Sequence, residues 1–135
     1  MRGWTLGLAL AAALAACGPR GDAQTSSLLE QGRQYTAWLY GNQYDKLWDR
    51  FSPDMRQTFG SVADLATFAG QAVTRLGQEQ GQVQEKVEAG SPVRIYSRTS
   101  TFDRSSHKML LEWTMAEDGA VTGLVLRPAP APGAR

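Results

Sequence analysis

A chain of 135 residues has room for one domain, and its 42% hydrophobic content excludes global disorder. Charge is balanced, 14 Lys and Arg against 13 Asp and Glu, so no basic excess points to nucleic acid or to an anionic bilayer surface. One cysteine excludes an intramolecular disulfide, and with one histidine it leaves too few N and S ligands for a conventional zinc site.

Met1-Arg2 begins the chain with a positive charge, and the run from Trp4 to Ala13 is apolar. That run is too short to cross a bilayer core, which needs about 20 apolar residues, so it reads as an export leader. Leu14-Ala15-Ala16-Cys17 follows and resembles the bacterial lipobox, Leu-small-small-Cys at the end of a short hydrophobic leader. The resemblance implies diacylglycerol on the Cys17 sulfur, cleavage before Cys17 and a membrane partner reached through lipid. Ala15 and Ala16 are small enough for a peptidase to grip extended backbone. Gly18 stands where an Asp would suggest retention at an inner membrane; this favours the periplasmic face of the outer membrane in a two-membrane cell. Residues 1–16 are thus expected to be a signal peptide, and 17–26 the lipidated cysteine with a flexible Gly/Pro-containing tether.

The domain is expected over 27–128. Ser27 and Glu30 match a capping box and start a first helix, with Leu28, Tyr35, Trp38 and Leu39 inward and Gly41-Asn42 as the stop. Tyr44, Leu47, Trp48 and Phe51 share one face of a short second helix. Ser52-Pro53 ends it and opens a third turn, with Met55 and Phe59 inward. Ser61, with Asp64 three residues on, caps a further helix bearing Leu65, Phe68, Ala69, Ala72 and Leu76 and closed by Gly77.

The period then changes. Gln82 to Glu88 is expected to be an edge strand weak in apolar residues, and Val93–Phe102, His107–Met115 and Val121–Arg127 complete a meander. Asp118-Gly119 is the strongest short-range hairpin signal. Taken as a two-residue loop, it pairs Met115 with Thr122, Trp113 with Leu124 and Leu111 with Leu126 on one apolar face. The Pro/Ala tail over 129–135 is expected to be extended and disordered, with no place in helix or ladder from Pro128 on. Helices followed by strands give an α+β domain, N-terminal helices packed on a four-stranded antiparallel sheet.

From Leu28 to Pro128 the chain resembles the NTF2-like (cystatin-like) superfamily, in particular its small DUF3887-type domains. The segments that carry the resemblance are Tyr44-Asp45-Lys46-Leu47-Trp48-Asp49-Arg50-Phe51-Ser52-Pro53-Asp54-Met55-Arg56 and the ending from Gly119 to Pro128. The resemblance implies a cone in which sheet and helices can enclose a cavity.

No catalytic set emerges to fill such a cavity. His107 falls in a turn beside Asp103-Arg104-Ser105-Ser106 and reads as solvated, and a serine triad would need it. Neither a Gly-x-Ser-x-Gly elbow nor a glycine-rich phosphate loop occurs. Asp45, Asp49, Asp54 and Asp64 occupy capping or solvent-facing positions. No catalysis, cofactor or metal is expected.

A binding constellation is open. Arg94, Tyr96 and Arg98 alternate on one strand face. A four-residue loop at 103–106 sets Tyr96 opposite Trp113 and turns both arginines inward, fit for an anionic or aromatic small molecule. A three-residue loop sets Ile95 opposite Trp113 and Val93 opposite Met115, with the arginines in water; apolar matching favours this second register. Trp38, Trp48, Phe51, Phe59 and Phe68 read as core. The function expected is that of a membrane-anchored envelope lipoprotein with an interaction or accessory domain, its partner an envelope protein or a second copy. A small-molecule binder is the alternative, and an isomerase-like enzyme the remotest.

Overall fold

A computed structural model describes residues 20–131 of the protein. The expected leader, the lipobox residues Leu14, Ala15 and Ala16, the lipidation site Cys17 and the last residues of the tail, 132–135, lie outside the described residues. Four helices, α1 (Arg20–Tyr40), α2 (Tyr44–Arg50), α3 (Pro53–Phe59) and α4 (Val62–Leu76), precede four strands. These are β1 (Glu79–Ala89), β2 (Arg94–Phe102), β3 (Met109–Met115) and β4 (Val121–Pro128), all antiparallel in the order β1-β2-β3-β4. The α+β class and the four-stranded meander are as the period change at residue 77 requires. Among the described residues no helix is long and apolar enough to cross a membrane.

The described part of α1 begins at Arg20, so the segment expected as a flexible tether up to residue 26 is helical over residues 20–26, and Ser27 is an interior residue instead of a cap. Asp22 to Ser26 contains no Gly or Pro to stop a helix from extending backwards, and a capping-box pattern is only a local alternative to continuation. The buried residues of α1 are Leu28, Gly32, Tyr35, Thr36 and Leu39, one stripe at helical spacing. Asn42, with a φ of 59°, ends the helix, and Gln43 N–H reaches back to the Trp38 carbonyl at 2.8 Å. Helices α3 and α4 begin where side chains can take up a free amide: Ser52 Oγ accepts from Met55 N–H at 3.2 Å, and Ser61 Oγ from Asp64 N–H at 3.1 Å.

Phe68, expected in the core stripe of α4, is instead 55% exposed, although Leu65, Ala69 and Leu76 are buried. It sits at the outer end of an aromatic row, 5.5 Å from Phe59, which is 5.8 Å from the buried Phe51. One side of α4 suffices for the core, and the 100° step between residues carries Phe68 off it.

Two registers differ from expectation. Between β2 and β3 Tyr96 pairs with Trp113, Arg94 with Met115 and Arg98 with Leu111. The register favoured on apolar matching, Ile95 opposite Trp113, is therefore overturned. Tyr96 and Trp113 are both fully buried, and each large side chain hidden this way contributes about 1.5–3 kcal/mol; Ile95 is on the other face and Val93 lies before the strand. Counting apolar atoms strand against strand overlooked the tyrosine, whose ring packs as a hydrophobe while its hydroxyl finds a partner.

Between β3 and β4, Leu111–Leu126 and Trp113–Leu124 pair as expected, but Met115 pairs with Val121 and not with Thr122. The loop has three residues, 117–119: Gly119 N–H bonds the Ala116 carbonyl at 3.0 Å, and Ala116 N–H bonds the Ala120 carbonyl at 2.9 Å. Gly119 takes a φ of 87°, as the last residue of such a loop must. A bulge at Thr122 restores the register. Its effect is to bury Val121 completely and leave Thr122 in solvent, the better exchange of the two. Phe51 bridges Val121 in parallel, with Ser52 N–H on the Val121 carbonyl at 2.9 Å, so the α2–α3 junction covers the start of this edge strand. The ladder also runs one step into the tail expected to lie free of it, because Ala129 N–H donates to the Lys108 carbonyl at 2.8 Å.

Candidate functional site

The inner face of the sheet carries the groups that matter, and α1 lies across it. Gly32 rests on the ring of Tyr96: an added Cβ would fall on the ring carbons Cγ and Cδ. One turn later the buried Thr36 hydroxyl donates to the Gly32 carbonyl at 2.7 Å and accepts the Trp113 indole N–H at 3.0 Å. Tyr35 Oη donates to the Gly119 carbonyl at 2.7 Å. Polar tips inside an apolar interface are each matched, as burial demands.

Toward β1 the face becomes ionic. Glu85 accepts two hydrogen bonds from Arg33 of α1, at 2.9 and 2.8 Å, and one from Tyr96 Oη at 2.6 Å. Arg98 forks onto Glu79, its Nε 2.9 Å from Oε2, and its Nη1 lies 3.5 Å from Glu85. Ser100 Oγ donates to Glu79 at 2.8 Å. Arg98, Glu79 and Glu85 expose only 17%, 18% and 18% of their side chains, so these pairs are shielded far more than a surface ion pair. Two guanidinium groups face two carboxylates and the cluster is neutral.

The protonation states follow from these contacts. Arg33 bonds hold Glu85 below the usual carboxylate range against the opposing push of burial. Burial raises Glu79, but the bonds from Arg98 and Ser100 and the guanidinium charge outweigh it and hold that carboxyl low as well. Burial and the Glu85 contact push the Tyr96 phenol up to about 12. Arg98 is raised, chiefly by its bond to Glu79. At neutral pH every member is in its charged or donating form, and none is poised to exchange a proton.

The four residues expected to form a binding constellation therefore have separate fates. Arg94, Tyr96, Arg98 and Trp113 do share the inner face. Tyr96 and Trp113 are sealed beneath α1, and Arg98 is engaged by Glu79 and Glu85. Arg94 lies four residues away on the same strand, about 13 Å along it. Sequence reasoning missed Arg33, Glu79 and Glu85. Alternation alone puts Glu79 and Glu85 on one face, but Glu79 lies before the strand expected from Gln82, and the bulge between Gln80 and Gln84 draws it back opposite Phe102, within reach of Arg98.

Beyond the cluster, at the C-terminal ends of α1 and α4, lies a cleft of about 420 Å³ lined by Tyr40, Thr74, Gln78, Glu79 and Arg104. Tyr40 Oη is enclosed and without a hydrogen-bond partner among the described residues, and burial raises its pKa. Arg104 donates to the Thr74 carbonyl at 3.2 Å. His107 is exposed in the β2–β3 loop. Among the described residues no group of His, Cys, Asp or Glu is placed to hold a metal ion. Compared with family models, curated proteins and solved structures, the chain matches none of them.

Proposed function

We propose that this protein is a lipid-anchored protein of the cell envelope whose α+β domain, NTF2-like in kind, is a non-catalytic interaction or accessory module. The observation that carries the reading is the sequence Leu14-Ala15-Ala16-Cys17: the chain's single cysteine stands at the one position a lipobox requires, behind a short apolar run. At about 0.8 kcal/mol per buried methylene, two acyl chains would make desorption negligible. The accessory role draws support from the ionic cluster on the inner face, where Arg33 and Arg98 are paired with Glu79 and Glu85. A periplasmic-facing outer-membrane location is the form this takes in a two-membrane cell.

The test is the intact mass of membrane-extracted protein beside that of Cys17→Ser. The wild type is expected to begin at Cys17 and carry acyl mass, and the variant to lack it. An unmodified soluble product in both would sink the proposal.

A second reading, a small anionic or aromatic ligand, is favoured by the cleft at Gln78 and Arg104. A ligand that binds only the folded state raises the midpoint of thermal unfolding. Small aromatic carboxylates should do so for the wild type and not for Arg104→Ala; no shift across such a panel rejects this reading.

A further inference from the structure

We infer that α1 is a rigid stalk that fixes which end of the domain faces the membrane. The inference rests on the lipoprotein reading, and the membrane is the partner concerned. Cys17 is three residues before Arg20, the first described residue of α1, and three residues span at most about 11 Å. From Arg20 the helix rises about 12 Å to the buried Leu28. Ala23 to Ser27 are exposed and belong to no core, so this stretch projects from the domain as helix. From Arg20 on, the link to the domain is a helix of defined direction.

The contacts of α1 tell which way it points. Gln31 lies against Gly119, and Tyr35 bonds the Gly119 carbonyl, so the early part of the helix sits by the β3–β4 loop. That loop adjoins the β1–β2 connection through Ser91 Oγ on Glu117 at 2.7 Å. At the other end Tyr40 packs edge-on against Phe102, the last residue of β2, at 5.6 Å. Helix α1 therefore runs in the same direction as β2. Its exposed start extends beyond the end of the sheet that holds the 90–93 and 117–119 loops. Those loops face the bilayer. The β2–β3 loop and the cleft at Tyr40, Gln78 and Arg104 lie at the far end, displaced by the nine residues of β2, about 30 Å.

The surface at the near end suits a standing domain and not an adhering one. The exposed stretch Ala23-Gln24-Thr25-Ser26-Ser27 has no apolar stripe that would lay the helix in the interface, and the only basic residue between Cys17 and Leu28 is Arg20. The exposed acids Glu117 and Asp118 on the near loop are not attracted to anionic headgroups.

The experiment uses the full lipidated chain in vesicles carrying an acceptor dye on their headgroups. Native Cys17 is blocked by its thioether, so a donor can be placed on Val93→Cys at the near end or on Ser106→Cys at the far end, both exposed positions. Energy transfer is expected to be at least roughly twofold greater from position 93, given a separation of about 30 Å. Breaking the stalk with Thr25→Gly and Ser26→Gly should erase most of that difference. Equal transfer in the lipidated protein, or a difference that survives the broken stalk, overturns the inference and leaves the lipoprotein reading standing. Protein that carries no acyl mass and does not sediment with vesicles overturns both.

Discussion

Replacing Gly32 with alanine is expected to destabilise the fold by about 3 kcal/mol, the upper part of the range for overpacking a close-packed interface. The direction is opposite to the usual one, since Gly to Ala in a helix interior ordinarily gains about 1 kcal/mol. Here the added methyl falls on the ring of Tyr96, which is fully buried and held through its hydroxyl by Glu85 at 2.6 Å. The ring has nowhere to go, so α1 must lift. Lifting it also strains the Thr36–Trp113 and Arg33–Glu85 contacts, which span the same interface. Urea unfolding would show the midpoint falling with little change in slope. Gly81→Ala is the control: nothing lies within 4 Å of its added Cβ, and stability should stay within about 0.5 kcal/mol of wild type. A Gly32→Ala protein as stable as wild type would mean that helix and sheet are not in close contact there.

The second large effect is at Arg98. Arg98→Ala should cost about 3 kcal/mol at pH 7, because it leaves Glu79 shielded and without its guanidinium partner. The effect should depend on pH with a definite sign. In the wild type Glu79 and Glu85 are held below the ordinary value of 4.5, so their contribution is complete above it and is lost as pH falls through the lowered values. In the variant, burial without Arg98 raises Glu79, which takes up a proton at higher pH. The two proteins should thus differ most near neutrality and converge toward pH 3. Pairing Arg98→Met with Glu79→Gln removes both charges and should restore most of the loss, since an unpaired shielded charge costs more than a neutral pair. A flat difference from pH 7 to pH 3 would show that the cost comes from lost packing and not from charge.

These two sites mark how far local pattern can be read. Glycine at position 32 looks like a weak point in a helix, and only the tyrosine lying across it shows why a larger residue does not fit. Arg98 was legible as an inward-facing cation, but only under one of two loop lengths. Its partners were not legible, because Glu79 lies before the expected start of the strand and only a bulge in β1 draws it back opposite Phe102, within reach of Arg98.

By itself the sequence determined the order of elements, helices first and an antiparallel meander second, since side-chain period, caps and turn residues are properties of a few neighbouring residues. It determined the Ser61 cap, the stop at Asn42 and the Trp113–Leu124 pairing, each set by residues close in the chain. The lipobox is likewise a local word, and it carries the proposed address. Tertiary structure alone decided the β2–β3 register, the bulge that buries Val121 and the exposure of Phe68. Each depends on which side chains meet across the fold. The free energy of such meetings, a kcal/mol or two apiece, exceeds the local preferences that pattern reading weighs.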